Sequence, residues 1–257
     1  MPPGTTEWDA KAYDRLSAPQ EEWARDVLGR LPLEGGETVL DAGCGSGRVT
    51  RMLAERLPKG RVIAVDGSGS MVAQARQSLS DLGDRVELVH SDLLELALPE
   101  PLDAAFSNAV FHWVFDHEAL FRRLRAALKP GGLLAAQCGG EGNVANWVAA
   151  VKRAAERQPF APYLADRPEP WHYASPEETE ARLVEAGFED VSCWLEDRVV
   201  EPEDSREYVA VVGLAAHRER LPAGLREPFT DAVDTELPQP LVLRYVRLNI
   251  EARVPAS

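Results

Sequence analysis

The sequence predicts an α/β protein with a doubly wound, mostly parallel sheet of seven strands. From residue 37 onward, short runs rich in β-branched and small apolar residues alternate with amphipathic helical patterns. Alternation at this spacing is typical of a parallel sheet covered by helices on both faces. The first predicted strand also ends in a glycine-rich turn, "DAGCGSG" at residues 41–47, which would let a ligand approach the backbone closely.

The individual elements follow from periodicity and from turn residues. Strands are predicted over residues 38–43, 61–66, 85–92, 102–108, 133–138, 190–200 and 241–254. Helices are predicted over residues 17–31, 48–57, 70–79, 117–128, 175–188, 203–218 and 224–235. Ser175 and Glu178 form a capping box at the start of the helix at 175–188, and Gly187 suits its end. The segment 139–175 is rich in proline and aromatic residues and has no strand pattern.

Composition narrows the classes of partner. The chain of 257 residues carries 28 Lys and Arg against 42 Asp and Glu, a net charge of −14, without a basic run. We therefore expect neither a nucleic-acid nor a membrane-surface partner. Cys44, Cys138 and Cys193 are too widely spaced for a disulfide framework or a metal site, so we expect reduced thiols, a cytoplasmic protein and no bound metal. Both a monomer and a homodimer remain open.

The glycine turn excludes two common ligands. A P-loop needs Lys and then Ser or Thr after its last glycine, but Gly47 is followed by Arg48 and Val49. The dinucleotide fingerprint needs a third glycine at the sixth position, and that position, counted from Gly43, is Arg48. A long side chain there does not suit a pyrophosphate.

Polar residues at the ends of the next strands indicate another ligand. Asp66 ends the second strand, where an acid can accept hydrogen bonds from ribose hydroxyls. Asp92 ends the third strand, where a dinucleotide enzyme needs no acid. Ligands of such sheets bind beyond the carboxyl ends of the strands, where Asn108 also falls.

Taken together, these motifs resemble those of the class I S-adenosylmethionine-dependent methyltransferases over roughly residues 5–140. The resemblance rests on "VLDAGCGSG" at 39–47, Asp66 with Met71, "SDL" at 91–93, "SNAVFHW" at 107–113 and "LKPGG" at 128–132. It implies S-adenosyl-L-methionine as the cofactor and a Rossmann-like sheet with an antiparallel last strand and a helical substrate cover. The implied cofactor-binding residues are Tyr13, Asp41, Gly43, Gly45, Gly47, Asp66, Gly67, Met71, Ser91, Asp92, Leu93, Asn108 and Ala109.

In this interpretation the chain is a single domain in four parts. Residues 1–36 form an N-terminal helical cap, 37–138 the cofactor-binding core, 139–175 the substrate cover, and 176–257 complete the sheet. Two of the cofactor residues keep a second interpretation. Met71 covers an adenine face or simply belongs to the core, and Asp41 touches the ligand or only orients the glycine turn.

The stretch "NAVFHW" at 108–113 bears on the methyl acceptor. It resembles the acceptor motif of trans-aconitate, juvenile hormone acid and malonyl-carrier-protein methyltransferases, all of which esterify carboxylates. "YDRLSAPQ" at 13–20 resembles the same group. The resemblance implies that Gln20 and the indole N–H of Trp113 hold the substrate carboxylate.

Each acceptor residue also has a plainer interpretation. Gln20 completes a capping box with Ser17, Trp113 anchors the core, and His112 is a structural histidine. Arg244 shares the apolar phase of the last strand, so it is expected to be buried and to pair with an incoming carboxylate, or else to extend to the strand's end.

Three functions follow from these alternatives. The leading hypothesis is methylation of a small or medium organic acid to its methyl ester, with Gln20, His112, Trp113 and Arg244 at the acceptor, which is free or bound to a carrier protein. The alternatives are methylation of a phenol, amine or carbon with His112 as general base, and a cofactor-binding module without turnover.

Overall fold

The computed structural model describes residues 18–256, with side chains from Glu21 onward. Its seven strands are β1 (Thr38–Ala42), β2 (Arg61–Asp66), β3 (Val86–His90), β4 (Leu102–Asn108), β5 (Leu128–Gly139), β6 (Glu189–Val200) and β7 (Leu243–Arg253). Its α-helices in the described range are α1 (Ala18–Gly29), α2 (Arg48–Glu55), α3 (Gly69–Ser78), α4 (His117–Ala126), α5 (Ala145–Ala155), α6 (Ala161–Leu164), α7 (Pro176–Glu185), α8 (Ser205–Tyr208), α9 (Ala215–Arg220) and α10 (Ala223–Glu236).

The strands form one mixed sheet in the order β3-β2-β1-β4-β5-β7-β6. β1 to β5 run parallel to one another, and β7 runs antiparallel to both β5 and β6. The predicted α/β class, the seven-stranded sheet and the antiparallel last strand are confirmed. The carboxyl ends of β1, β2, β3 and β4 therefore meet at one edge of the sheet, where ligands of such folds bind.

The parallel strands are buried on both faces, as their apolar composition predicts. Successive residues Val39 and Leu40 of β1 belong to opposite apolar cores, and Val62 and Ile63 of β2 repeat this alternation. One core packs the sheet against α1, α2 and α3, and the other packs it against α4 and α7. A third cluster joins α5, α6, α10 and the start of β7. This third cluster is the helical layer beside the ligand edge.

Two local features differ from the sequence prediction or sharpen it. β5 starts at Leu128 rather than at 133, because the residues 129–132 form an irregularity in the pairing with β4 rather than a separate turn. The predicted cap of α7 is present: the Ser175 hydroxyl accepts a hydrogen bond from the Glu178 backbone N–H at 3.2 Å. Gly187, beyond the end of α7, has a φ of 91°, which favours glycine.

Candidate active site

The three glycines after β1 adopt a conformation that other residues rarely reach. Gly43, Gly45 and Gly47 have φ values of 92°, 54° and 89°. Space is limiting at Gly43, where a Cβ atom would lie 2.1 Å from Cγ2 of Val110. The turn therefore passes so close to the loop after β4 that a side chain at position 43 would fill the space between them.

Asp66, at the end of β2, fixes this turn. Its Oδ2 accepts the Gly45 backbone N–H and its Oδ1 accepts the Ser68 backbone N–H, both at 2.8 Å. The backbone N–H groups of Gly43 and Cys44 donate to the Val65 carbonyl at 2.8 and 3.0 Å. The carboxylate thus joins the glycine turn to the start of α3 while it remains at the cavity wall, beside Gly67.

Asp41 is a buried acid near the carboxyl end of β1. It is only 1% exposed, and its Oδ2 accepts the Thr50 hydroxyl at 2.7 Å, which ties β1 to α2. It also belongs to the cavity wall. Burial raises the pKa of Asp41 to about 7, although the hydrogen bond from Thr50 opposes the shift. This carboxyl therefore titrates near neutral pH.

The end of β3 supplies a more open acid. Asp92 is exposed, and its Oδ1 accepts the Leu94 backbone N–H at 2.9 Å, which caps the 3₁₀ turn Leu93–Glu95. Asp92 and Leu93 line the cavity. Ser91 does not line it; its backbone N–H donates to the Asp66 carbonyl at 3.1 Å. Ser91 therefore holds neighbouring strand ends together.

Two further predicted cofactor residues meet at the same edge. Met71 is buried at the start of α3 and lines the cavity, so it is both a core and a wall residue. Asn108 ends β4 and also lines the cavity. Ala109 follows it with a φ of 62°, and its backbone N–H donates to the Gln137 carbonyl at 2.7 Å. This strained turn sends the next residues across the ligand edge.

Those residues form the 3₁₀ turn Phe111–Trp113, which begins the acceptor side of the cavity. His112 is buried, and its Nδ1 accepts the Gly139 backbone N–H at 3.2 Å. The pKa of His112 is well below its usual value because of burial, and the charge of Arg247 adds to this effect. The neutral ring then carries its proton on Nε2 and is a donor there. Trp113 is half-buried, lines the cavity and has its ring centroid 5.0 Å from that of His112.

The prediction that Arg244 is buried is wrong. Arg244 is exposed, whereas Arg247 is 2% exposed and lines the cavity. Both faces of β7 are covered: Leu248 and Ile250 face one core, and Leu243 and Tyr245 face the helical cluster. Arg247 shares the phase of the latter pair. Residues 241–246 are apolar in both phases apart from Arg244, and this is the sequence signal that could have revealed burial on the face of Arg247.

Arg247 is held by contacts on two sides. Its guanidinium carbon lies 4.8 Å from the ring centroid of Trp23, and its Nε donates to Gln137 Oε1 at 3.3 Å. Its backbone pairs with Gly139, the residue that donates to His112. The cation of β7 and the histidine of the acceptor turn are thereby set at the same point of the sheet edge.

The helical cover supplies the rest of the acceptor wall. Trp147, Trp171 and Tyr173 of the predicted cover line the cavity, but Phe160, Tyr163 and His172 do not. Sequence analysis missed a second contribution, from the π-helical turn Val209–Gly213 and from α9. The residues concerned are Val212, Gly213, Ala216, Glu219 and Arg220. Gly213 is required there because a Cβ atom would lie 1.0 Å from Cη2 of Trp147.

These walls enclose one cavity of about 740 Å³ that reaches from the glycine turn to the cover, a volume within the range of small-molecule sites. Tyr13 lies outside the described residues. Gln20 is in α1, but its side chain is outside the described part. Within residues 18–256 there is no group of three His, Cys, Asp or Glu side chains that could hold a metal ion. No helix in that range is long and apolar enough to cross a membrane.

Comparison with known proteins agrees with this geometry. A family model for a methyltransferase domain matches residues 39–132. The trans-aconitate 2-methyltransferase of Methylobacterium nodulans is 31% identical over 255 residues, which cover 98% of this chain and 92% of the relative. That of an Azoarcus species is 42% identical over 130 residues. In this second match the chain covers 50% of the length of the curated relative.

The fold is also found among solved structures. The phosphoethanolamine N-methyltransferase 2 of Haemonchus contortus, in complex with phosphomonomethylethanolamine and S-adenosylhomocysteine, superposes with a TM-score of 0.63. The two are 21% identical, over 96% of this chain and 57% of that one. This likeness concerns the fold alone.

A glycine turn after the first strand, with acids at the next two strand ends, defines the site of the class I methyltransferases, whose cofactor is S-adenosylmethionine. The chain belongs to the family of S-adenosylmethionine-dependent methyltransferases that includes the trans-aconitate 2-methyltransferases.

Proposed function

We propose that the protein transfers a methyl group from S-adenosylmethionine to the carboxylate of a small or medium organic acid and releases the methyl ester. The observation that carries this proposal is the buried guanidinium of Arg247 in the acceptor wall, beside the turn of His112 and Trp113. A buried cation of this kind is matched by an anionic ligand. The named substrate of the relatives, trans-aconitate, is a carboxylic acid.

The hydrogen-bond donors and acceptors in the cofactor half of the cavity suit S-adenosylmethionine. Asp66 would accept the ribose hydroxyls, Asp92 the adenine amino group, and Met71 would cover the adenine ring. The backbone at Gly43 and Gly45 would follow the methionine moiety, since no side chain fits at position 43. When bound, the cofactor would supply a methyl group on a sulfonium; a nucleophile attacks this methyl carbon directly, and the neutral thioether S-adenosylhomocysteine leaves.

For a carboxylate acceptor, the residues of the site have to position the acceptor and exclude water. They do not have to remove a proton from it. A carboxylic acid has a pKa of about 4, so it is already ionised at pH 7. Arg247 would hold one carboxylate oxygen, with Nε2–H of His112 and the indole N–H of Trp113 as further donors. Alignment of this kind can supply roughly 7–11 kcal/mol of the barrier.

The alternative with His112 as general base has less support. The Nδ1 lone pair already accepts the Gly139 N–H, and the pKa of His112 is lowered by burial and by Arg247. A weak base whose free nitrogen carries the proton is poorly suited to deprotonate a phenol or an ammonium group. Neutral His112 suits an acceptor that arrives already ionised.

The test uses the purified protein, methyl-labelled S-adenosylmethionine, and a panel of acids, phenols and amines beside a small-molecule extract. After mild base, label from a methyl ester is released as volatile methanol. We expect base-labile product, and a rate at saturating cofactor that is constant from pH 6 to 9. Base-stable product, with a rate that falls as the pH is lowered through the pKa of a histidine, would show that His112 acts as a base. Cofactor binding without any labelled product would favour the binding module.

A further inference from the structure

The acceptor side of the cavity has an aromatic wall. Trp171 and Tyr173 are stacked, with ring centroids 5.8 Å apart and planes 13° apart. Trp113 meets Trp171 edge-on, at 6.4 Å and 71°. All three residues line the cavity. Two nearly parallel rings and one perpendicular ring form a corner that suits a planar, apolar group better than a hydrated one.

Charge on this side is limited. Arg247 and Arg220 are the described cations of the acceptor wall. Arg220 donates to the Pro168 carbonyl at 2.9 Å, and its neighbour Glu219 also lines the cavity. Arg48 lies at the cofactor side, 3.3 Å from Glu21. The described carboxyl groups of the whole wall are Glu21, Asp41, Asp66, Asp92, Asp116 and Glu219. Among the described cations of this wall, Arg247 is the one that is fully buried.

A further buried donor in the wall is neutral. Trp147 is 4% exposed, and its Nε1 has no hydrogen-bond partner within residues 18–256. Its ring fills the space left by Gly213. A neutral N–H does not compensate the desolvation of a second carboxylate.

On these grounds, and resting on the carboxylate methylation proposed above, we propose that the acceptor is a monocarboxylic acid with a flat apolar body, such as an arylacrylic or arylacetic acid. Arg247 holds the single carboxylate, and the corner of Trp113, Trp171 and Tyr173 holds the ring. A tricarboxylate such as trans-aconitate would bring two further negative charges to a wall whose other described cation, Arg220, already donates to the Pro168 carbonyl, and burial of these charges is costly.

Three acids separate the possibilities: cinnamate, nonanoate with the same carbon number but no ring, and trans-aconitate. Binding to the complex with S-adenosylhomocysteine is followed by tryptophan fluorescence, and ester formation by the methanol assay. We expect cinnamate to bind about tenfold or more tightly than trans-aconitate and several-fold more tightly than nonanoate. Equal or tighter binding of trans-aconitate would overturn the inference, whatever the turnover.

The assay also separates this inference from the proposed function. Base-labile label in trans-aconitate, at a higher kcat/KM than in cinnamate, would leave carboxylate methylation standing and reject the flat monocarboxylate. Label confined to base-stable products of phenols or amines would reject the proposed function itself.

A matched pair of variants tests the aromatic wall. Trp171→Leu should weaken cinnamate binding about tenfold and nonanoate binding less, because only the ring loses a stacking surface. Trp194→Leu is the control, since Trp194 lies outside the cavity and covers Arg30. An equal loss for cinnamate and nonanoate in Trp171→Leu would contradict ring stacking.

Discussion

On the cofactor side of the cavity, the polar groups follow the ends of successive strands, and Asp66 and Asp92 accept backbone N–H groups of the turns at these ends. On the acceptor side, the groups come from distant segments: His112 after β4, Trp171 in the cover, Gly213 in a π-helical turn and Arg247 in β7. The first side is therefore made by local backbone geometry, whereas the second exists only when β5, β7 and the helical cover have packed together.

This difference predicts that substitutions on the two sides affect different measured quantities. A change on the cofactor side should alter cofactor affinity, since it distorts the turn itself. A change on the acceptor side should alter the acceptor's KM or kcat and leave cofactor affinity unchanged. Two substitutions test this separation, and a third tests the charge state of a buried acid on the cofactor side, beginning with the largest expected effect.

The first is Arg247→Met, compared with Arg244→Met on the same strand. Loss of the buried guanidinium should lower kcat/KM for the acid at least 100-fold, about 3 kcal/mol, which is typical of a buried charge-assisted contact. Exposed Arg244 should change kcat/KM by less than about twofold. Cofactor affinity, measured by titration calorimetry, should be the same in both variants; a weaker cofactor complex in Arg247→Met would show that the two sides are not separable.

The second is Gly43→Ala, compared with Gly45→Ala in the same turn. A methyl group at position 43 would clash with Val110, and the positive φ at this position is unfavourable for alanine. We therefore expect the free energy of unfolding to fall by about 3 kcal/mol and the cofactor to bind more weakly. At position 45 nothing lies within 4 Å, and only the φ strain of about 1–2 kcal/mol applies.

Urea unfolding with and without cofactor measures both the loss of stability and the loss of cofactor affinity in this second prediction. The double variant Gly43→Ala/Val110→Ala should recover part of the stability, because the clash is with the valine side chain. If the double variant is no more stable than Gly43→Ala, the effect lies in the backbone rather than in the space between the two loops.

The third is Asp41→Asn, examined as a function of pH. The pKa of Asp41 is raised to about 7 in the folded protein, from a usual value of 3.8. Between these pH values the unfolded chain ionises first, so folding stability falls as pH rises through this window and levels off above about 7. Asparagine removes this slope.

We therefore expect Asp41→Asn to gain about 2 kcal/mol relative to the wild-type protein between pH 5 and pH 7, within the ~1.4 kcal/mol per pH unit that one group allows. Urea unfolding at several pH values measures the difference. Thr50→Val is a useful companion, because loss of the hydroxyl should raise the Asp41 pKa further. A difference between Asp41→Asn and wild type that does not change with pH would contradict the raised pKa.

The cofactor side could be predicted from the sequence to a greater extent than the acceptor side. Strand bounds of β2 and β4 were predicted to the residue, and the strand-end residues Asp66, Asp92 and Asn108 lie at one edge as expected. These features depend on periodicity and on neighbouring turn residues. The roles of the individual site residues stay predictions until they are tested.

The acceptor side could not be predicted in the same way. Choosing between Arg244 and Arg247 requires knowing which face of β7 meets the helical cluster, and residues 241–246 are apolar in both phases apart from Arg244 itself. The contribution of α9 and Gly213 depends on how a helical segment folds back over the ligand edge, which no local pattern reports. The irregular start of β5 depends on its pairing with β4.

The pairing of Gly139 with Arg247 has a consequence for the growing chain. During synthesis, the glycine turn and the acids of β2 and β3 emerge well before β7. The residues of the cofactor side have therefore left the ribosome while Arg247, the cation of the acceptor side, is still inside it. Because a shift of one residue in the pairing would turn Arg247 to the opposite face, the reactive compartment is completed only when this late strand has docked in register.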